Sequence, residues 1–68
     1  MLRLIKERNK RGLSQAELSR LSCVNQSSMS RIERGLEPAY PQRGQRIADA
    51  LGWAGDYTEL FEEVSEDE

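Results

Sequence analysis

Helix stops and starts fall so close together along this chain that only short helices fit between them. Gly12, Gly35 and Gly52 stand where a helix would end, and Ser14, Asn25 and Pro41 where one would begin. Ser14-Gln15-Ala16-Glu17 is a capping box: the serine hydroxyl accepts from the amide three residues on, and the glutamate reaches back to the serine amide. Asn25 offers a similar side-chain acceptor. A glycine just past a helix takes the left-handed conformation that closes it. Proline is tolerated in a first turn, where its missing amide proton would have no partner anyway. No stretch alternates apolar and polar residues for long, so a 3.6-residue period fits and strands do not.

The spacing predicts five helices. The first runs from Leu2 to Arg11 with Leu4 and Ile5 as its apolar stripe, and the second from the capping box through Ser22 with Ala16, Leu18 and Leu21 inward. The third spans Gln26 to Arg34, followed by a loop over Leu36 to Tyr40. The fourth starts with Pro41 at its first position and ends at Leu51, with Ile47, Ala48 and Leu51 inward. Asp56-Tyr57-Thr58-Glu59 opens a short fifth helix with Leu60, Phe61 and Val64 on one side. The fold class is all-α, a compact domain over residues 1–64, with an acidic tail from Ser65 to Glu68 expected to be disordered.

A chain of 68 residues holds one domain and no cleft between two. It has no histidine, which removes the commonest general base and metal ligand. With a single cysteine, Cys23, neither a disulfide framework nor a structural zinc site is expected, and a reducing cytoplasm fits. No apolar run approaches the ~20 residues that span a bilayer. The amino-terminal residues turn polar too soon for a signal peptide. The acidic residues lack the spacing of a calcium loop. No enzyme, cofactor, metal or membrane is expected.

The formal net charge of −2 conceals two opposite halves. All ten basic residues lie within residues 1–46 beside only four acids, a net of +6; residues 47–68 hold eight acids and no base. A ligand feels the local field, so the first half suits a polyanion. Eight of the ten bases are arginine, which binds phosphate or guanine in a planar, two-pronged fashion. The third helix sharpens this. With Gln26 at zero and about 100° per residue, Ser30, Arg34, Ser27 and Arg31 fall between about 40° and about 140°. Ile32, Leu36 and Met29 fall between about 240° and about 300°, on the opposite face. The polar face holds only Gln, Ser and Arg, with no acid to repel phosphate.

The stretch from Leu13 to Gly35 resembles the helix-turn-helix of phage repressor/Cro-type (XRE-like) transcriptional regulators. Gly12-Leu13-Ser14-Gln15, Leu18, Val24-Asn25 and Met29-Ser30-Arg31-Ile32-Glu33-Arg34-Gly35 match the family pattern at its spacing. Ile47-Ala48, Ala50-Leu51-Gly52 and Glu59-Leu60-Phe61 resemble its fourth and fifth helices, so the likeness covers about residues 4–64. It implies a lambda-repressor-like five-helix DNA-binding domain. Such a domain is a transcriptional regulator, expected to be a repressor that binds double-stranded DNA as a homodimer on an inverted repeat.

By position, the resemblance assigns Gln26, Ser27 and Arg31 to base edges in the major groove, and Gln15 to a phosphate. Glutamine can pair with adenine and arginine with guanine through two hydrogen bonds each. Asn25, Ser30 and Arg43 are placed for phosphate. Arg8 and Glu33 occupy the positions of a family ion pair that ties the first helix to the third. Trp53, Tyr57, Leu60, Phe61 and Val64 are the candidates for a dimer seam once the core is filled. Cys23 stands in the inter-helix turn where the family usually has Gly. It is read as a small, semi-buried residue, at a cost of roughly 1 kcal/mol if the turn needs positive φ. Gly44 either weakens the fourth helix or lets another backbone come close. The alternative function is a small protein-interaction module, such as an anti-repressor or antitoxin-like partner, working through the fifth helix and Trp53. The basic first half and the acid-free face of the third helix favour DNA.

Overall fold

A computed structural model of the chain describes residues 1–39 and 41–65. Four α-helices run in order: α1 over Arg3–Lys10, α2 over Gln15–Ser22, α3 over Gln26–Glu33 and α4 over Gln42–Leu51. A 3₁₀ helix over Tyr57–Phe61 follows them. Of the expected tail only Ser65 lies within the described residues, and Tyr40 of the expected loop lies outside them.

All four α-helices close in one way. The amide of the residue after the turn bonds back into the last turn: Leu13 to Arg8 O at 3.2 Å, Val24 to Ser19 O at 3.1 Å, Leu36 to Arg31 O at 2.8 Å and Trp53 to Ala48 O at 2.9 Å. Each closure needs one left-handed residue to reverse the chain. Three are glycines, and the fourth is Cys23 at φ 58°. The starts follow the side chains. Ser14 forms the complete capping box with Glu17, and Asn25 accepts from the Ser27 amide. Pro41 is the residue before α4 rather than its first, one position from the expectation.

Leu4, Leu18, Met29, Ile32, Ile47 and Leu60 are the fully buried side chains of the core. Ala16 and Leu21, expected inward, are exposed, Leu21 by 55%. The inward face of α2 is instead Leu18, Ser19 and Ser22. Two small side chains let α4 come close, and the Ser22 hydroxyl is satisfied by Leu18 O at 2.7 Å. Leu36 is also exposed, by 68%, because the Gly35 closure turns the chain off the apolar face of α3 before it. Cys23 is exposed rather than semi-buried. Gly44 is buried under the Tyr57 ring: a Cβ there would lie 2.7 Å from Tyr57 Cδ2 and 3.0 Å from Ala39 O. A ring, together with that carbonyl, makes the close approach.

The fifth α-helix is a correction. Asp56 does not form a capping box; its carboxylate accepts from the Thr58 amide and hydroxyl, at 2.9 and 2.7 Å. The turn then tightens to 3₁₀ spacing and ends at Phe61, because Glu62 is extended. Its carbonyl accepts from the Arg3 amide at 2.9 Å, and Val64 N donates to Met1 O at 2.8 Å. An open amide of the first turn of α1, whose N-cap Leu2 supplies no side-chain acceptor, is thus satisfied by the other end of the chain. Val64 therefore lies outside the helix, and Leu60, fully buried, belongs to the core and leaves the candidates for a dimer seam.

Arg11 ties α1 to α4. Its Nε donates to Leu51 O at 2.6 Å and its Nη1 to Glu7 Oε1 at 2.7 Å. The Arg11 hydrogen bond holds the buried Glu7 carboxyl below its ordinary 4.5, against the opposing effect of burial. The folded state therefore favours the ionised form. Its stabilisation is full above about pH 4.5 and is lost as pH falls through the lowered value. The melting temperature should hold from pH 7 to 5 and drop below about 4.5, and Glu7→Gln should flatten part of that drop in a calorimetric pH series.

Cys23 pays for its left-handed backbone without a glycine's freedom. Cys23→Gly should stabilise the fold by up to about 1 kcal/mol. For a domain of this size that is a rise of about 4–8 °C in melting temperature, read by thermal unfolding.

Candidate nucleic-acid interface

The α2–turn–α3 unit fixes where the outer face of α3 points. Ser14 starts α2, the Cys23 closure turns the chain, Val24 plugs into the core at 4% exposure, and Asn25 starts α3. With Met29 and Ile32 committed to the core, Gln26, Ser27, Ser30, Arg31 and Arg34 are left outside. Together with Gln15 they line one open hollow. Five of the sequence-predicted residues thus meet in one place. Asn25 stands at the start of the same helix with its side chain engaged as cap, at 2.8 Å from Ser27 N. Arg43 is on α4, outside the hollow. Arg34, on the predicted face but without an assigned role, belongs to the hollow.

Behind the hollow lies the expected ion pair. Arg8 Nε and Nη2 donate to Glu33 Oε2 and Oε1 at 2.9 and 3.2 Å, and Arg8 Nη1 donates to Leu13 O at 2.9 Å. The two side chains are 13% and 6% exposed, so water screens the pair weakly. Gln15 Nε2 also donates to Glu33 Oε1, at 3.2 Å. The residue expected on a phosphate is thereby held against the end of α3, a contact the sequence reading did not foresee.

The outer face of α3 is not free of acid. Glu37, from the loop after Gly35, sets Oε1 2.8 Å from Arg31 Nε, and its Oε2 accepts from Arg43 Nη1. Arg43 Nη2 donates to Pro38 O at 2.9 Å. Hydrogen bonds from Arg31 and then Arg43 pull the Glu37 carboxyl down to about 2. Glu37 is the residue that sequence reasoning missed. The signal was there in Gly35: a left-handed closure sends the chain back beside the last turn, so an acid two residues on lands near Arg31.

Among the described residues no group of His, Cys, Asp or Glu gathers in a way that could hold a metal ion, and no helix is long and apolar enough to cross a membrane.

Removing either partner of the Arg8–Glu33 pair strands a poorly hydrated charge. Glu33→Ala and Arg8→Ala should each cost about 3 kcal/mol, and the double variant much less than their sum. Denaturant unfolding of the four chains of this cycle checks it.

A family model described as a helix-turn-helix domain matches residues 2–61, which takes in the hollow, the ion pair and all four α-helices. No curated protein and no solved structure matches the chain. The match and the α2–turn–α3 geometry agree with an XRE-like regulator, and the chain belongs to the helix-turn-helix domain family.

Proposed function

We propose that this chain is a sequence-specific transcriptional regulator, a repressor that sets α3 in the major groove of an inverted-repeat operator. One observation carries the reading: Gln15, Gln26, Ser27, Ser30, Arg31 and Arg34 line one open face, and every one of them is a hydrogen-bonding or cationic side chain. Gln26, Ser27 and Arg31 read base edges, while Gln15, Asn25, Ser30 and Arg43 hold phosphates. Base contacts supply sequence preference and phosphate contacts supply register. The Arg8–Glu33 pair serves by keeping α3 at a fixed angle to α1.

A module this small contacts few base pairs, too few to discriminate against genomic competitor sites. It acts as a homodimer, with two copies of α3 about one turn of DNA apart. Trp53, Tyr57, Phe61 and Val64, each partly buried, supply the seam. The experiment is selection from random duplexes, followed by footprinting and stoichiometry on the selected site. A motif with dyad symmetry and two chains per footprint supports the reading; absence of any motif refutes it, and one chain on an asymmetric site refutes the dimer.

Arg31→Ala should cost about 1–3 kcal/mol at one or two base positions of that motif and relax preference there. Gln15→Ala should weaken binding to matched and scrambled duplexes alike. Titrations of both variants against both duplexes separate the two roles.

A further inference from the structure

Arg31 is one of the exposed side chains that line the hollow, yet its guanidinium is already engaged. It sits two residues before the end of α3, and its own carbonyl accepts the Leu36 amide at 2.8 Å. That same closure brings Glu37 back alongside it. Glu37 takes Arg31 by Nε at 2.8 Å, and its other oxygen is taken by Arg43. Arg43 is itself fixed to Pro38 O at 2.9 Å. The carboxylate is thus held on two sides, with 22% of its side chain exposed against 47% for Arg31.

The choice of nitrogen matters. A guanidinium is planar, so a bond at Nε fixes the orientation of the plane and leaves the Nη1/Nη2 edge for another partner. That edge is the one that pairs with guanine O6 and N7 when arginine approaches a base end-on. Among the described residues, the hydrogen bond found for the Arg31 side chain is the one from Nε.

We propose that Glu37 is a positioning and specificity-determining residue: it braces Arg31 through Nε so that the outer edge of the guanidinium is set for a guanine, and Arg43 in turn holds Glu37. This rests on α3 being the reading helix. Bracing lowers the freedom that Arg31 loses when it meets the base, which favours the matched site. The carboxylate also adds a negative charge beside the DNA face and occupies two cations, which disfavours any sequence held by phosphates alone. Both effects widen the gap between matched and random DNA. An arginine left free would reach for phosphate and bind all sequences better.

The test begins with a motif selected by the wild-type chain, then titrates wild type, Glu37→Gln, Glu37→Asp, Arg31→Ala and the Arg31→Ala/Glu37→Gln double variant. Each is measured against the matched duplex, a duplex changed at the Arg31 guanine, and a random duplex. Melting temperature is followed in each. Glu37→Gln should bind random DNA about three- to tenfold more tightly at low salt, with a salt slope steeper by about one. It should lose about five- to tenfold of its discrimination at the one guanine. Glu37→Asp keeps the charge but is one methylene shorter, so it should lose discrimination with little change on random DNA. In the Arg31→Ala background, Glu37→Gln should no longer alter discrimination at that position.

If Glu37→Gln tightens matched and mismatched binding equally, Glu37 is a competitor that covers the arginines, and the bracing role is overturned. If all affinities fall together with the melting temperature, its role is only structural and the proposal is again overturned. A wild-type chain that selects no motif overturns this proposal together with the DNA-reading function. A wild-type motif kept unchanged by Glu37→Gln overturns this proposal alone.

Discussion

The carboxylate of Glu33 is the point on which the rest of this domain is hung. A charge at 6% side-chain exposure is tolerable only when it is neutralised and fully hydrogen-bonded. Arg8 meets both needs from α1, and Gln15 adds a third donor from the first position of α2. Arg8 also holds the carbonyl of Leu13, in the turn between them. Three helices and a turn therefore converge on one ion pair. Apolar contacts between short helices allow sliding and rotation, since one aliphatic surface packs nearly as well a little displaced. Hydrogen bonds to a buried carboxylate do not, because a small displacement leaves a donor unpaired. The apolar core holds the helices together, and Glu33 sets their angles.

The same economy runs through all four acids of the basic half. Glu17 is spent on the capping box, Glu7 on Arg11, Glu33 on Arg8 and Glu37 on Arg31 and Arg43. Each has a definite structural partner. No ion pair with an acid is found for Arg3, Lys6, Arg20, Arg34 or Arg46 among the described residues. The field around the first half of the molecule is accordingly that of its unpaired cations, and the positions of its acids are set by geometry rather than by solvation.

Much of this was legible in the chain, and the parts that were not share a cause. Caps and closures are local: Ser14, Glu17, Asn25, Gly12, Gly35 and Gly52 act within a few residues of themselves, so their effect is readable in order along the sequence. Hydrophobicity was a poorer guide to the inward face of α2, because close packing against α4 selects the small Ser19 and Ser22 over the larger Leu21. Nothing within the last segment announces that it will leave the helical path at Glu62. That change depends on an amide at the opposite end of the chain. Gln15 on Glu33 and Glu37 on Arg31 and Arg43 are side-chain meetings across a reversal of the backbone, and they follow from the closures only once the closures are placed in three dimensions. The family resemblance reached the Arg8–Glu33 pair, which links helices remote in sequence and which local rules do not reach.

The α-helices of this protein are eight, eight, eight and ten residues long. Helices under about 12–15 residues hardly persist in water by themselves, since the cost of nucleation is spread over too few hydrogen bonds. None of the four can outlive the others, and α3 with its polar face exists only while the whole domain is folded. Loss of any part is loss of all, so the concentration of working molecules in a cell is the total multiplied by the folded fraction. Cellular proteases act on the remainder. For such a chain heat and turnover act on the same quantity: a temperature that shifts the folding equilibrium changes how much of the α3 face is present, and so does half-life.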